Sequence, residues 1–410
     1  MMGDLVVELY GTRIGVLRGD WRNFDFVPDR AGVARFGLGS NVLSLSVPLL
    51  IRSTRSGASL RRNFFSELLP EGHMRARLAR NASVPDHDVI ALLRHYGRDV
   101  AGALQIWDPN MPGEPREPRM EQLDDAGVAA MLAQVTDEPL GNKPGSGKTS
   151  LAGVQDKIVL ARSANGVWNR VVDGAPSTHI LKPQSSRFST MIFDEEYGAR
   201  LCRKVGLAEN DTWVDNFDGI FAVVIERYDR TPGDGQGRIH QEDGNQILGA
   251  AGDEKYQRIS GKVSLRRLAH TLASACDTEM IEQLLRYLAV AVAIGNLDMH
   301  TKNISVLHLA DGACILAPAY DMVPQRHFSN DGELALAVHG KYQHSAITAD
   351  DLIAEGESWG LTSASSIVPE ILEDLALAVS SEQPHPQAHP SLVGDISTFI
   401  ANLQAGKPVG

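Results

Sequence analysis

Eight residues, Asn296 to Asn303, hold five groups able to do chemistry: Asn296, Asp298, His300, Lys302 and Asn303. They sit between an apolar stretch ending at Ile294 and another beginning at Ile304. Polar and charged groups between two core elements are costly unless they are paired, hydrated or turned to a ligand. Asp298 and Asn303 stand five residues apart. That is the interval at which phosphoryl-transfer loops set a base for a hydroxyl proton and an amide for magnesium. Eighteen residues beyond Asn303, after a strand-like segment, Asp321 is placed to be a second metal-binding carboxylate. The chemistry this predicts is metal-assisted phosphoryl transfer. The same residues also read as a polar turn, with Asp298 capping a helix or turn and His300 packed locally.

Several elements must position these groups. A helix is expected from about Glu279 to Ile294, with an apolar face through Ile281, Leu284, Leu285, Leu288, Val290, Val292 and Ile294. A strand is expected over Ile304 to Leu309. Upstream, Ser150 to Lys157 is a small-residue loop entering a strand at Ile158 to Ala161. Its residues Ala152, Gly153, Val154 and Gln155 can offer backbone N–H groups to phosphate; a plain hairpin is the alternative. Lys182 ends a short apolar strand and is either solvated, as isolated lysines usually are, or aimed at nucleotide phosphates. A helix over Phe193 to Gly206 carries Glu195 and Glu196; Glu196 is the preferred partner for Lys182, and both also fit as surface acids. Phe221 to Arg230 reads as a buried strand with a polar end before a Pro232 to Gly237 turn. That is where a two-lobed kinase has its hinge, or it is simply a core strand.

At 410 residues the chain can bury a large core in two or three domains. Its 22% charged and 43% hydrophobic residues are those of a globular protein. A net charge of -12 argues against a broad basic surface for nucleic acid. Cys202, Cys276 and Cys314 lack metal-ligand spacing and lie in apolar contexts, which predicts buried thiols in a reducing cytoplasm. There is no signal-peptide pattern at Met1 to Glu8 and no apolar run of membrane-spanning length, so no membrane association is expected.

The first 107 residues begin β-rich, with strands expected at 4–10, 13–18, 22–27 and 42–47. Helices follow from Arg62 and over Asp86 to Tyr96, then a strand over Ala101 to Trp107. Residues 108–149 read as a linker around one helix at 121–134. Gly145 to Ser150 imitates the end of a Walker loop, but Asn142 stands where its first glycine belongs and no strand precedes it. Residues 150–232 form a nucleotide-binding part and 233–410 a helical lobe with the catalytic loop. Later helices are expected at about 349–356, 367–380 and 391–404.

In order, these pieces resemble the HipA family of bacterial serine/threonine kinases, the toxins of toxin–antitoxin pairs. The matching stretches are Phe64 to Gly72 with Arg75 and Leu78, Tyr96-Gly97 with Ala101 to Leu104, and Ser150 to Lys157. They continue with His179 to Pro183, Glu196-Tyr197, Glu226 to Arg230, Gln241 to Asp243, Asp298 to Asn303 and Ala317 to Asp321. Val154 and Asp156 depart from the more usual Ala and Glu. The resemblance implies an α+β fold with two protein-kinase-like lobes, of the phosphoinositide-kinase type, plus a β-rich N-terminal subdomain and a mostly helical C-terminal lobe.

By the same resemblance, ATP and Mg2+ are the cofactors and Asp298 the catalytic base. Asn303 and Asp321 hold magnesium, Lys182 meets the phosphates, and the loop from Leu151 to Lys157 covers them. Backbone groups of Glu226 and Tyr228 meet adenine, Asp229 reaches the ribose, and His300 completes the Asp-x-His arrangement of the nucleotide site. Ser150 matches the family's autophosphorylated position; about -1.5 to -2 charges there would repel a phosphate-binding loop and inactivate the enzyme. The implied partners are a helix-turn-helix antitoxin of the HipB type, through which DNA is met indirectly, and a protein of translation resembling an aminoacyl-tRNA synthetase. Growth arrest of the kind linked to persistence follows. A small-molecule or lipid kinase, and a catalytically quiet co-repressor working with a DNA-binding antitoxin, remain alternatives.

Overall fold

The computed structural model describes residues 3–143, 147–231, 237–275 and 278–410. Near the N-terminus β1 (Leu5–Leu9), β2 (Thr12–Arg18) and β3 (Asp25–Pro28) form an antiparallel sheet, completed by β4 (Leu104–Trp107) in the order β3-β2-β1-β4. Between β3 and β4 come α1 (Arg30–Phe36), α2 (Ala58–Ser66), α3 (Gly72–Asn81) and α4 (Val89–Tyr96). Residues 42–47, expected as a strand, form none. Their polar groups turn instead to a buried carboxylate: Ser44 Oγ and Leu45 N–H donate to Glu242 at 2.6 and 2.7 Å.

A second, six-stranded antiparallel sheet is built from β5 (Arg119–Leu123), β6 (Ile158–Arg162), β7 (Trp168–Val172), β8 (His179–Pro183), β9 (Thr212–Phe217) and β10 (Ile220–Glu226). Its order is β5-β7-β6-β8-β10-β9. Residues 108–149 are therefore not a mere linker. β5 pairs with β7 from Arg119↔Val172 to Leu123↔Trp168, and α5 (Asp125–Ala133) packs on the sheet. Side chains alternate across the pleat. Ile158 and Leu160 face α5, while Val159 and Ala161 join the core of the N-terminal subdomain. On β8, Leu181 faces α5, so Lys182 projects from the opposite face, where α6 (Met191–Lys204) packs against β10.

The remaining lobe is mostly helical. β11 (His240–Asp243), α7 (Gly244–Leu248), α8 (Gln257–Ser260) and α9 (Leu265–Ala275) lead to α10 (Thr278–Ile294). Next come β12 (Ser305–His308) and β13 (Cys314–Leu316), in a sheet ordered β11-β12-β13, and the pair β14 (Glu333–Val338) and β15 (Lys341–Gln343). α11 (Ala349–Ser358), α12 (Ala364–Ser381) and α13 (Leu392–Gln404) close the lobe around α10. α10 is buried almost throughout, and its apolar positions join the largest hydrophobic cluster. Among the described residues no helix is long and apolar enough to cross a membrane. Cys202 is buried and Cys314 half-buried; Cys276 lies outside the described residues.

Candidate active site

The end of α10 fixes the loop from Asn296 to Asn303. Gly295 takes a left-handed φ of 74°, and the Asn296 and Gly295 N–H groups donate back to Ala291 and Val292. This glycine-ended cap stops the helix in one geometry. Asn296, 1% exposed, then acts as a brace. Its Oδ1 accepts from the Asp298 N–H at 3.0 Å, and its Nδ2 donates to the Asp321 carbonyl at 3.3 Å. Asn303 Nδ2 donates to the Asp298 carbonyl at 2.9 Å, which leaves the amide oxygen of Asn303 as its remaining acceptor.

Asp321 takes a left-handed φ of 56°, uncommon for a residue with a side chain and a form of strain that collects at functional sites. Its segment lies hard against α6 because Gly198 has no side chain; a Cβ there would meet the Met322 carbonyl at 2.0 Å. That approach brings together Asp321, Lys182 and Glu195. The Lys182 Nζ lies 2.6 Å from Glu195 Oε1 and 2.8 Å from Asp321 Oδ1. The partner is thus Glu195, and the expectation of Glu196 is corrected: Glu196 pairs with Arg200 four residues on, at 2.9 Å, on another side of the helix. Arg200 was the signal in the sequence.

Charge is unevenly shared here. Burial raises the Asp321 carboxyl, but the Lys182 ammonium, with help from Lys157, outweighs it and holds Asp321 at about 2. Burial, reinforced by the Asp321 charge, keeps Glu195 above its usual range although Lys182 opposes. Burial and then the Asp321 charge push Asp298 up to about 6, against Lys255 and a hydrogen bond from the Tyr256 hydroxyl. Burial, then Lys255, lowers His300 to about 3, so the ring is neutral. Its Nδ1 has no hydrogen-bond partner among the described residues. A buried polar atom of this kind calls for a ligand or water.

The loop from Ser150 to Lys157 lies beside the N-terminal subdomain. Ser150 is fully buried, and its Oγ donates to the Leu68 carbonyl at 2.8 Å. The Lys157 Nζ donates across the loop to the Ala152 carbonyl at 2.6 Å. Burial and the nearby Lys182 bring Lys157 down to about 8. Gly153 offers its carbonyl to the Glu71 N–H at 3.3 Å, Val154 is exposed, and Gln155 is half-buried. The Walker-like Lys148 is buried in a pair with Glu114 at 3.1 Å, away from any phosphate role.

The hinge residues are partly spent. The Glu226 N–H donates to the Asp211 carbonyl at 2.9 Å, so that donor is not open to an adenine edge. The Tyr228 ring packs tilted against Tyr320, with ring centres 5.2 Å apart. Asp229, expected to reach a ribose, is 2% exposed and its carboxylate already has several partners. It receives Arg227 Nε at 2.9 Å, the Gly102 N–H at 2.7 Å and Gln241 Nε2 at 3.2 Å, with Arg230 at 3.1 Å. The flanking arginines in the sequence foretold this. Residues 232–236 of the hinge turn lie outside the described residues.

Lys255, Tyr256 and Glu71 were missed in the sequence because they lie far from the loop they serve. Among the described residues no cluster of three or more His, Cys, Asp or Glu side chains forms a protein-only metal cage. The Asn303 oxygen and the Asp321 carboxylate fit magnesium nonetheless, since that ion takes few protein oxygens and completes its shell with phosphate and water.

A six-stranded antiparallel sheet joined through one strand end to a helical lobe, with a lysine–glutamate pair in the first and an Asp/Asn/Asp set in the second, defines a protein-kinase-like fold. The HipA-like C-terminal domain matches residues 149–382 and the HipA N-terminal domain residues 5–107, and the chain belongs to the HipA family. It is 33% identical over 313 residues to a candidate kinase of Sinorhizobium fredii, covering 73% of this chain and 74% of that one. It is 26% identical over 388 residues to the serine/threonine-protein kinase toxin HipA of Shewanella oneidensis, covering 88% and 85%. Among solved structures, the complex of HipA, HipB and operator DNA from Shewanella oneidensis MR-1 contains a chain with the same fold. The TM-score is 0.79 at 23% identity, over 98% of this chain and 99% of that one.

Proposed function

We propose that this chain is an ATP-dependent serine/threonine protein kinase, the toxin of a toxin–antitoxin pair whose antitoxin is of the HipB type. The observation that carries the reading is the Asn296 brace, which ties the Asp298 backbone to the Asp321 backbone while Lys182 lies 2.8 Å from the Asp321 carboxylate. Base, metal ligand and phosphate-facing cation are thereby held on rigid elements, as in-line transfer needs.

In this reading Lys182 and Lys157 meet the triphosphate, and an arriving anion strengthens the hold of Lys157 on the proton that burial disfavours. Asn303 and Asp321 would hold magnesium, which when bound offsets phosphate charge and aligns the transferred group. Asp298 orients the substrate hydroxyl and takes its proton; its raised affinity for protons suits a base working near neutrality. His300, neutral, offers Nδ1 to the nucleotide. Ser150 is the candidate autophosphorylation site. Buried against the Leu68 carbonyl, it can receive a phosphate only after the loop leaves, and the added charge would keep the loop out. The substrate is proposed to be a translation protein, in line with the resemblance.

The test is transfer from γ-labelled ATP to protein in the presence of magnesium, with the labelled sites mapped by mass spectrometry. Wild type is expected to label protein and Ser150, and Asp298→Ala to bind ATP but transfer nothing. Label confined to a metabolite, or equal growth arrest by both forms, would overturn the reading.

A further inference from the structure

The corner between α2 and α3, Glu67 to His73, touches both loops of the site. On one side it receives the phosphate-facing loop. Ser150 Oγ donates to the Leu68 carbonyl at 2.8 Å, the Glu71 N–H donates to the Gly153 carbonyl at 3.3 Å, and His73 Nε2 lies 2.9 Å from Asp156 Oδ1. On the other side it grips the catalytic loop. Glu71 Oε1 lies 2.8 Å from Lys302 Nζ and Oε2 lies 2.8 Å from Lys255 Nζ, while Glu67 takes Lys302 at 2.7 Å.

Both lysines lead to reacting groups. Lys302 stands between His300 and Asn303. The Lys255 carbonyl accepts from the Thr301 hydroxyl at 3.3 Å, and its neighbour Tyr256 packs edge-on to His300 at 5.5 Å. The Lys255 and Lys302 side chains are only 3% and 4% exposed, so water cannot replace a lost counter-charge. Lys302 also holds Glu67, so the loss of the Glu71 charge falls on Lys255, and a buried ammonium deprived of its carboxylate must move.

We propose that Glu71, in the N-terminal subdomain, is a positioning residue of the phosphotransfer centre that couples the phosphate-facing loop to the catalytic loop. The proposal rests on the kinase reading above. Its backbone holds one loop and its carboxylate the other, so one residue places both loops through two separate contacts. The N-terminal subdomain is then part of the catalytic frame as well as an appended module.

The test separates the two faces kinetically. Glu71→Gln keeps the N–H to Gly153 and the side-chain length and removes only charge. It is expected to lower kcat about 10²-fold through misplacement of the catalytic loop, leaving the KM for ATP within about twofold. His73→Ala, which loosens only the phosphate-facing loop, is expected to raise the KM for ATP and spare kcat. A folded Glu71→Gln with wild-type kcat overturns the proposal, since a purely structural clamp would lower the melting temperature alone. Should that variant not fold, Glu71→Gln with Lys255→Met removes one charge of each sign, and wild-type kcat there overturns it equally. Asp298→Ala is assayed alongside. If wild type transfers no phosphate, the kinase reading fails; if wild type is active and Asp298→Ala inactive while Glu71→Gln is normal, only this inference fails.

Discussion

The Asp298 carboxyl is a residue whose chemistry and stability pull in opposite directions. Burial and the Asp321 charge raise it from 3.8 to about 6. Between those values the folded chain binds more proton than the unfolded one. The associated stability is therefore fully present below about pH 4 and lost as pH rises through about 6. At neutral pH the ionised group costs the fold on the order of 2 kcal/mol, after allowance for its partial exposure. Asp298→Asn should therefore melt higher than wild type at pH 7.5, with the difference vanishing near pH 4, while losing transfer. Thermal unfolding of both forms at the two pH values checks this, and a less stable variant at pH 7.5 sinks it. In wild type, kcat/KM should fall about tenfold per pH unit below about 6 as the base gains its proton. The spacing of Asp298, Asn303 and Asp321 was legible in the sequence; this electrostatic setting was not, because Lys255, Tyr256 and Glu71 reach Asp298 only through the fold.

Among elements, the decisive contact is between β8 and α6. Lys182 and Glu195 are 9% and 2% exposed at their side chains, so the pair is essentially dry. Removing the lysine strands a carboxylate, and breaking a buried pair in this way costs about 3–5 kcal/mol. Lys182→Met should show that loss in urea unfolding, while Lys182→Met with Glu195→Gln should recover most of it and still transfer no phosphate. Equal stability of the single variant and wild type would mean the pair does not join sheet to helix. The long periodic helices were readable from sequence: the stretch expected from 279 to 294 forms as Thr278–Ile294, and the last helix as Leu392–Gln404. β5 was not, because Arg119 to Leu123 is a mostly exposed edge strand with no apolar alternation to betray it. Residues 42–47 had the alternation, but Glu242, two hundred residues on, claims their donors. Both errors have one cause: tertiary partners override local pattern.

At the scale of the whole molecule, the N-terminal subdomain is sewn to both lobes by buried charge. Asp99, fully buried, meets Arg230 at 2.9 Å and accepts from Ser177 Oγ at 2.7 Å, while Asp229 binds the Gly102 N–H. One cluster thus joins the N-terminal subdomain, the sheet and the hinge. Chains of this length commonly unfold domain by domain. Here each part would expose unpaired buried charges if it opened alone, so a single cooperative transition is expected. Trp107, Trp168 and Trp359 lie in the N-terminal subdomain, the six-stranded sheet and the helical lobe, so fluorescence and calorimetry together sample all three. Asp229→Ala should lower that one transition by about 3–5 kcal/mol, because it leaves Arg227 and Arg230 without their shared carboxylate. A ribose ligand would behave otherwise: its loss would weaken ATP binding and leave the melting curve in place. If Asp229→Ala weakens ATP binding at unchanged stability, the ribose role holds after all. If instead an early transition splits off, the subdomain is an independent unit and the charge cluster a surface between neighbours.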